Sequence, residues 1–361
     1  MEINTRVNND VSLAEAIELI ATIGKDITVM LEGHMGNGKT SATEKELAER
    51  FPDHVMCHFD CTTKDIGDLL IPKILEAGGS NYVTFATNEE LGAHLDKPVI
   101  VNLDEFGKSQ AGVKKALTRL ILERKIGNHA LHPDSIVYAT TNLSEEGVGD
   151  FLEGHQLDRI CKVRIRKSTH VEWIDWGITN NINPAVLGFV REFPQVLQSF
   201  EEVADPADNA YIYHPQAERE AFVTPRSLEM ASKVLNTKDS LSKATLRAAL
   251  VGTIGEMAAR DMIAFIEMAD QLPSLESIKN SPETATVPTS TAAVCMVVYR
   301  ALAVMERSWV DAWVTYMNRL NPEAQALFAN GVKAPNYHLR DIITTNKKFT
   351  DWCLENHYLY S

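Results

Sequence analysis

The stretch Gly33-His34-Met35-Gly36-Asn37-Gly38-Lys39-Thr40 fits the pattern GxxxxGK[S/T] without a gap. Glycines let consecutive backbone N–H groups curl around a phosphate chain, and a helix starting behind them adds the partial positive charge of its N-terminus. Gly33, Gly36, Asn37, Gly38 and Ser41 would form the cradle, Lys39 would reach the β- and γ-phosphates, and Thr40 would hold a magnesium ion. Further along, the apolar run Val99-Ile100-Val101-Asn102-Leu103 ends in Asp104-Glu105. Asp104 would accept from magnesium-bound water, and Glu105 would orient or deprotonate an attacking water. A third run, Ile136-Val137-Tyr138-Ala139-Thr140-Thr141, ends in the amide of Asn142. Each piece has a plainer meaning alone: a tight connection, a helix cap, the start of a turn. In this order they read as one nucleoside triphosphate site.

The elements around these residues must place them together. Residues 27–31 are a short β-branched and apolar run ahead of the glycines, and residues 41–50 are rich in helix formers, so the motif stands at a strand-to-helix turn. A helix-period face at Leu13, Ala16, Ile17, Leu19, Ile20 and Ile23 precedes it, with Ser12 as N-cap. Further strands are expected at 54–59, 99–103, 136–141 and 161–165, and a helix at 109–124 with Val113, Leu117, Leu120 and Ile121 on one face. Residues 126–135 read as a small hairpin or loop. In a parallel sheet of this kind the C-terminal strand ends converge on the ligand crevice. Between the second and third of these strands, residues 62–72 turn from polar to apolar and are closed by Pro72, and a Gly-Gly turn, a short strand at 82–85 and a helical piece follow. Gly147, Gly149 and Gly154 mark a flexible stretch before the last strand.

From Ser168 onward strand and helix no longer alternate. Trp173, Trp176, Val186, Phe189 and Val190 suggest the core of a helical domain, residues 205–213 loop out, and Thr224-Pro225-Arg226-Ser227 opens a helix with proline in its first turn. A long helical region is expected at 241–269, a proline-bearing linker at 271–290, helices at 291–320 and 321–330, and a polar tail. The expected divisions are therefore 1–166, an α/β nucleotide-binding domain with a five-stranded parallel sheet; 167–270, an α-helical lid; and 271–361, a linker with further C-terminal helices.

With 361 residues, 45% hydrophobic and 23% charged, the composition is that of a folded chain with more than one core. The net charge of −14 argues against binding nucleic acid mainly by phosphate neutralisation, although a basic groove can sit inside an acidic total. Cys57, Cys61, Cys161, Cys295 and Cys353 are odd in number and scattered, which suits a reducing cytosol. Cys57, His58 and Cys61 suggest a metal, but no second pair with ligand spacing follows and the run reads as strand. The first ten residues are polar and lack the apolar core of a signal peptide. The most apolar stretch, 292–305, is broken by Arg300 and falls short of the roughly 20 residues a spanning helix needs. A cytoplasmic protein is expected.

The order phosphate loop, strand ending Asp-Glu, strand ending Thr-Asn, Leu157-Asp158-Arg159, then helices carrying Thr-Pro-Arg resembles the AAA+ ATPases. Within them it is similar to the MoxR-like and dynein-related branch, which includes chelatase ATPase subunits and phage-encoded members. The resemblance covers residues 27–232. It implies that residues 33–40 are the Walker A loop, Asp104 and Glu105 Walker B, Asn142 sensor 1, Arg159 an arginine finger and Arg226 sensor 2. It implies ATP and Mg2+ as ligands, a homo-hexameric ring that remodels a protein client, and for chelatase-type members a von Willebrand-type metal-binding partner. Asp65-Ile66-Gly67 resembles the place where this branch inserts an element facing the ring pore, and Trp173 to Trp176 with Ile182 to Val186 resembles the start of the lid. Two departures stand out. His34-Met35 replaces a frequent proline, which looks harmless because backbone groups bind there, and Ile160 follows Arg159 where phenylalanine is usual. Arg119 and Arg124 are alternative outside donors, and Arg159 could instead be a surface ion pair. A nucleic-acid translocase or restriction motor is the alternative function, since relatives use ATP or GTP for that work. The charge speaks against it, and Asn346-Lys347-Lys348-Phe349 lacks the aspartate of a guanine-reading motif. A scaffold that binds nucleotide but barely hydrolyses it is a third reading, opposed by the intact Glu105 and Asn142.

Overall fold

The structure is a computed structural model that describes residues 10–146, 154–269 and 272–360. The expected glycines Gly147 and Gly149 lie outside the described residues. The chain divides into two compact units, Met1–Lys167 and Ser168–Ser361.

In the first unit α1 (Leu13–Ile23) opens on a capping box: the Ser12 hydroxyl accepts from the Glu15 N–H, and the Glu15 carboxylate accepts from the Ser12 N–H. There follow β1 (Thr28–Gly33), α2 (Ser41–Arg50), β2 (Val55–Asp60), α3 (Ile66–Leu69), β3 (Leu70–Ala77), β4 (Ser80–Thr87), β5 (Val99–Asp104), α4 (Ala111–Glu123), β6 (Lys125–Ile126), β7 (His129–Ala130), β8 (Ile136–Asn142), α5 (Gly154–Leu157) and β9 (Ile160–Ile165). Five strands form a parallel sheet in the order β2-β5-β8-β1-β9, as the alternation of apolar runs and helices predicts. Both faces are covered, so successive residues serve different cores. Val29, Leu31, Ile100 and Tyr138 pack with Ala16, Ile17 and Ile20 of α1. Met30, Val101, Leu103 and Val137 pack with Val113, Leu117 and Leu120 of α4.

Contrary to the expectation from sequence, Pro72 does not close its segment. It lies within β3, opposite Phe85, and β3 pairs antiparallel with β4 across a turn of Gly78 and Gly79. A two-stranded ribbon leaves outward positions where a missing N–H costs nothing. The ribbon exposes Ile71, Ile74, Tyr82 and Val83, so hydrophobicity there does not signal a core.

The second unit is helical: α6 (His170–Thr179), α7 (Pro184–Glu192), α8 (Pro225–Asn236), α9 (Lys243–Ile254), α10 (Glu256–Ala269), α11 (Leu275–Asn280), α12 (Thr291–Ala303), α13 (Val310–Met317), α14 (Pro322–Lys333), α15 (Arg340–Thr344), α16 (Lys347–Glu355) and α17 (His357–Tyr360). The helical region expected at 241–269 holds two helices, divided at Gly255, whose φ of 84° a side chain resists. The expected linker contains α11, and the helical stretch expected at 291–320 holds α12 and α13. Residues 205–213 hold no α-helix, as expected, and Tyr211 ties this loop down: its hydroxyl donates to Asp261 Oδ2 at 2.7 Å. One buried cluster runs from Trp173 to Trp352, with Trp313 fully enclosed. Most of the apolar stretch 292–305 lies in α12, buried continuously from Ala292 to Tyr299, which is how a helix apolar all round is accommodated inside a protein. Among the described residues no helix is long and apolar enough to cross a membrane.

Candidate active site

The register places the chemistry at one edge of the sheet. Gly33 at the end of β1 stands opposite Asn142 at the end of β8, and Asp104 ends the next strand beyond. Behind Gly33 the loop turns through Gly36 and Gly38 at φ 68° and 80°, backbone that residues with a Cβ rarely adopt. Thr40 stands at the N-cap of α2 without a side-chain bond to the helix amides, and its hydroxyl instead donates to Asp104 Oδ1 at 2.7 Å. The helix N-terminus is thus left for an anion. The Asn37 amide donates to the Arg166 carbonyl at 3.1 Å, fixing the loop to the chain beyond β9.

Lys39 is buried, and its ammonium donates to the carbonyls of Gly33 (2.7 Å) and His34 (2.8 Å) and to Asn142 Oδ1 (2.8 Å). Burial pulls its pKa down to about 8, opposed by the carboxylates of Glu105, Glu146 and Asp104. In the nucleotide-free chain the group is therefore charged below about pH 8 and neutral above it. Phosphates stabilise the charged form, so binding above that pH takes up a proton, and affinity is expected to fall by up to about tenfold per pH unit. Nucleotide affinity measured from about pH 7 to 9.5 checks this; a flat profile would mean that the phosphates do not meet the Lys39 ammonium.

On the other side, Asp104 Oδ1 also accepts from the Thr140 hydroxyl, and that hydroxyl accepts from the Glu105 N–H at 3.2 Å. Glu105 has φ 51°, a left-handed backbone that costs a non-glycine residue energy and turns its carboxylate back toward the strand ends. Glu105 Oε1 accepts from Asn142 Nδ2 at 2.8 Å, and Oε2 lies 3.4 Å from Lys108 Nζ. Asn142 therefore joins the lysine to the glutamate through one amide. Sequence reasoning missed Thr140, whose signal was a polar residue inside an apolar strand, two before Asn142 and so on the same face. It also missed the partners of His58: Nδ1 meets Glu44 Oε1 at 2.7 Å, the Asn102 amide donates to the same oxygen at 2.9 Å, and Nε2 lies 4.0 Å from Asp104 Oδ2.

The Thr40 hydroxyl and Asp104 carboxylate are hard oxygen donors, a set that suits magnesium, which takes most of its shell from water and phosphate oxygens. Among the described residues no group of three or more His, Cys, Asp or Glu side chains could hold a metal ion.

Within the first unit Arg159 is not brought to this edge. Arg159 precedes β9, which enters opposite Thr28 while its far end, Ile165, lies opposite Gly33. Five residues of strand separate those levels by about 17 Å, beyond the reach of one side chain. Among the described residues Arg159 forms a loose pair with Asp158, at 3.9 Å. Arg226 is exposed on the first turn of α8, behind a Thr224–Ser227 capping box, in the second unit. Of the alternatives, Arg119 pairs with Glu123 at 2.9 Å and donates to the Gly127 carbonyl at 3.2 Å. Arg124 has a structural role, since it caps α4 at φ 57° and donates to the carbonyls of Lys25, Gly24 and Ile121 and to the Thr28 hydroxyl. Arg124→Met is expected to lower stability by about 2–3 kcal/mol, since charge-assisted bonds to part-buried acceptors are lost. Arg119→Met, which breaks an exposed pair, should cost at most about 1 kcal/mol. Urea unfolding of both variants checks the contrast, and equal losses would refute it.

By fold the chain is an α/β protein whose phosphate-loop motif stands at the C-terminal end of an interior strand. No family model matches it, and no curated protein does. Among solved structures it is similar to a protein described as an ATPase from Cytophaga hutchinsonii, with 13% identity, 72% of this chain and 90% of that one covered, and a TM-score of 0.34. It is also similar to the closed state of Hsp104 with ATPγS and casein, with 16% identity, 72% and 46% covered, and a TM-score of 0.37. Neither likeness is strong enough to bear on activity.

Proposed function

We propose that this chain is a magnesium-dependent ATPase of the AAA+ kind, similar to the MoxR-like branch, that works as a ring to remodel a protein client. The observation that carries the reading is the hydrogen-bonded set at one sheet edge in which Lys39, Asn142 and Glu105 are joined through Thr140 to Asp104 and Thr40. In this mechanism the loop amides and Lys39 bind the phosphates, with Lys39 exchanging the Gly33 and His34 carbonyls for phosphate oxygens. Magnesium, held through Thr40 and Asp104, would supply neutralisation of phosphate charge. Glu105, oriented by Asn142, aligns a water and takes its proton. Asn142, bonded to both Lys39 and Glu105, links the phosphate-binding lysine to the water-aligning glutamate. The distance of Arg159 from its own pocket supports assembly, because it leaves that guanidinium for a neighbour's pocket. A ring of six, and for a chelatase-type system a von Willebrand-type partner, follow from the resemblance.

The test is turnover of ATP and GTP with magnesium and with a chelator, repeated with single- and double-stranded DNA and RNA at physiological salt. ATP should be preferred, the chelator should stop turnover, and nucleic acid should bind weakly without stimulation. GTP turnover well above ATP turnover would overturn the assignment. Tight, salt-steep binding of nucleic acid that accelerates turnover would put the translocase in its place.

A further inference from the structure

From sequence, positions 34 and 35 of the phosphate loop look interchangeable, since backbone groups bind there. In the folded chain they have a dedicated partner. Glu146, on the short turn of helix after β8, accepts from the Met35 N–H through Oε2 at 2.6 Å and from His34 Nδ1 through Oε1 at 2.7 Å. The side chains of His34 and Glu146 are 7% and 2% exposed, so water does not substitute for either bond. A carboxylate that grips two consecutive residues fixes both the position and the direction of the backbone between them.

We propose that Glu146 is a positioning residue for nucleotide binding. It holds residues 34–35 so that the loop amides that follow, and the Lys39 ammonium that shares the His34 carbonyl, are presented to the phosphates. The inference rests on the nucleotide reading and deepens it. His34 is pinned at both ends: its carbonyl accepts from Lys39 at 2.8 Å and its ring donates to Glu146. The segment after β8 touches the loop at two points, Asn142 on Lys39 and Glu146 on His34-Met35, so the strand that carries the water-orienting amide also sets the shape of the cradle. Glu146 belongs to the binding step, since among the described residues its side chain bonds to the loop and not to Glu105 or Asp104.

The experiment measures ATP affinity, KM, kcat and thermal midpoint for the full chain and for Glu146→Ala, Glu146→Gln and His34→Ala. Glu146→Ala is expected to raise Kd and KM about tenfold with kcat changed less than about twofold, the split that loss of ground-state binding produces. Glutamine's oxygen can still accept from Met35, and its nitrogen can donate to Nδ1 of the other imidazole tautomer, so Glu146→Gln should recover most of the loss. His34→Ala keeps the Met35 bond and should fall between. A purely structural role would lower the thermal midpoint and the active fraction in all three while leaving KM in place, and that result overturns the inference. Tighter ATP binding in Glu146→Ala would overturn it too, because the carboxylate would then be blocking the phosphates. If Glu146→Ala does not fold, unchanged KM in both Glu146→Gln and His34→Ala supports nothing but a structural role for the pair and counts against the inference. A parent chain that binds no nucleotide takes down the nucleotide reading as well, whereas a binding parent matched by its variants removes this inference alone.

Discussion

Glu105→Gln is expected to bind ATP as the parent chain does and to turn it over about 10²–10⁴-fold more slowly, the range a positioned general base contributes. Glutamine has the same shape, and its oxygen can keep the bond from Asn142 Nδ2 that now orients the carboxylate at 2.8 Å. What it cannot do is accept the proton of an attacking water. Lys39→Ala should fail earlier, at binding. It removes the ammonium held between Gly33, His34 and Asn142, leaves two buried carbonyls without that donor, and takes from the phosphates their nearest positive charge. The two variants therefore separate the steps: a fluorescent nucleotide should be retained by the first and lost by the second, and single-turnover phosphate release should be slowed about 10²–10⁴-fold in the first and absent in the second. Full turnover in Glu105→Gln, or parent-like binding in Lys39→Ala, would remove the assignment of these residues.

The parts of this site that could be read from the chain are those that physics ties to strand ends. A strand buried on both faces must be an apolar run, so the polar residue that ends it is conspicuous, and Asp104 and Asn142 were visible for that reason. Glu146 was not. It sits in the polar segment Ser144-Glu145-Glu146, and only the pairing of β8 beside β1, with Gly33 opposite Asn142, brings it over His34. The strained φ of Glu105 was likewise invisible, because it answers to Thr140 and Asn142 on the neighbouring strand. Among the arginines, composition could not distinguish Arg119 from Arg124; the carbonyls of Gly24, Lys25 and Ile121 that occupy Arg124 are gathered by the fold. In the helical unit the apparent polar tail hides Phe349 and Trp352, three residues apart on α16 and stacked with ring centroids 5.8 Å apart inside the core. Two aromatics at helix spacing in a polar stretch are a short signal, and the surrounding charges mask it.

Arg159→Ala is expected to bind ATP nearly normally and to hydrolyse it at least about a hundredfold more slowly, against the roughly 10³–10⁵ that such arginines contribute elsewhere. The geometry sets the terms of the test. Arg159 enters the sheet at the level of Thr28, about five residues of strand away from the edge where Gly33 and Asn142 meet, so it cannot serve the pocket of its own chain. A lone chain then holds Lys39, Asp104, Glu105 and Asn142 in place but lacks the outside guanidinium that would meet the charge spreading over the γ-phosphate oxygens in the transition state. Turnover should rise more steeply than linearly with protein concentration, and ATP should favour assembly. Mixing Arg159→Ala with Lys39→Ala decides the matter, because each is inactive alone for a different reason. In a mixed ring the intact pocket of one subunit faces the intact arginine of the next, and part of the activity should return. No recovery in demonstrably mixed assemblies would mean that Arg159 supplies no neighbour's pocket. Arg119 would be the next residue to substitute, since Arg124 is already committed to closing α4.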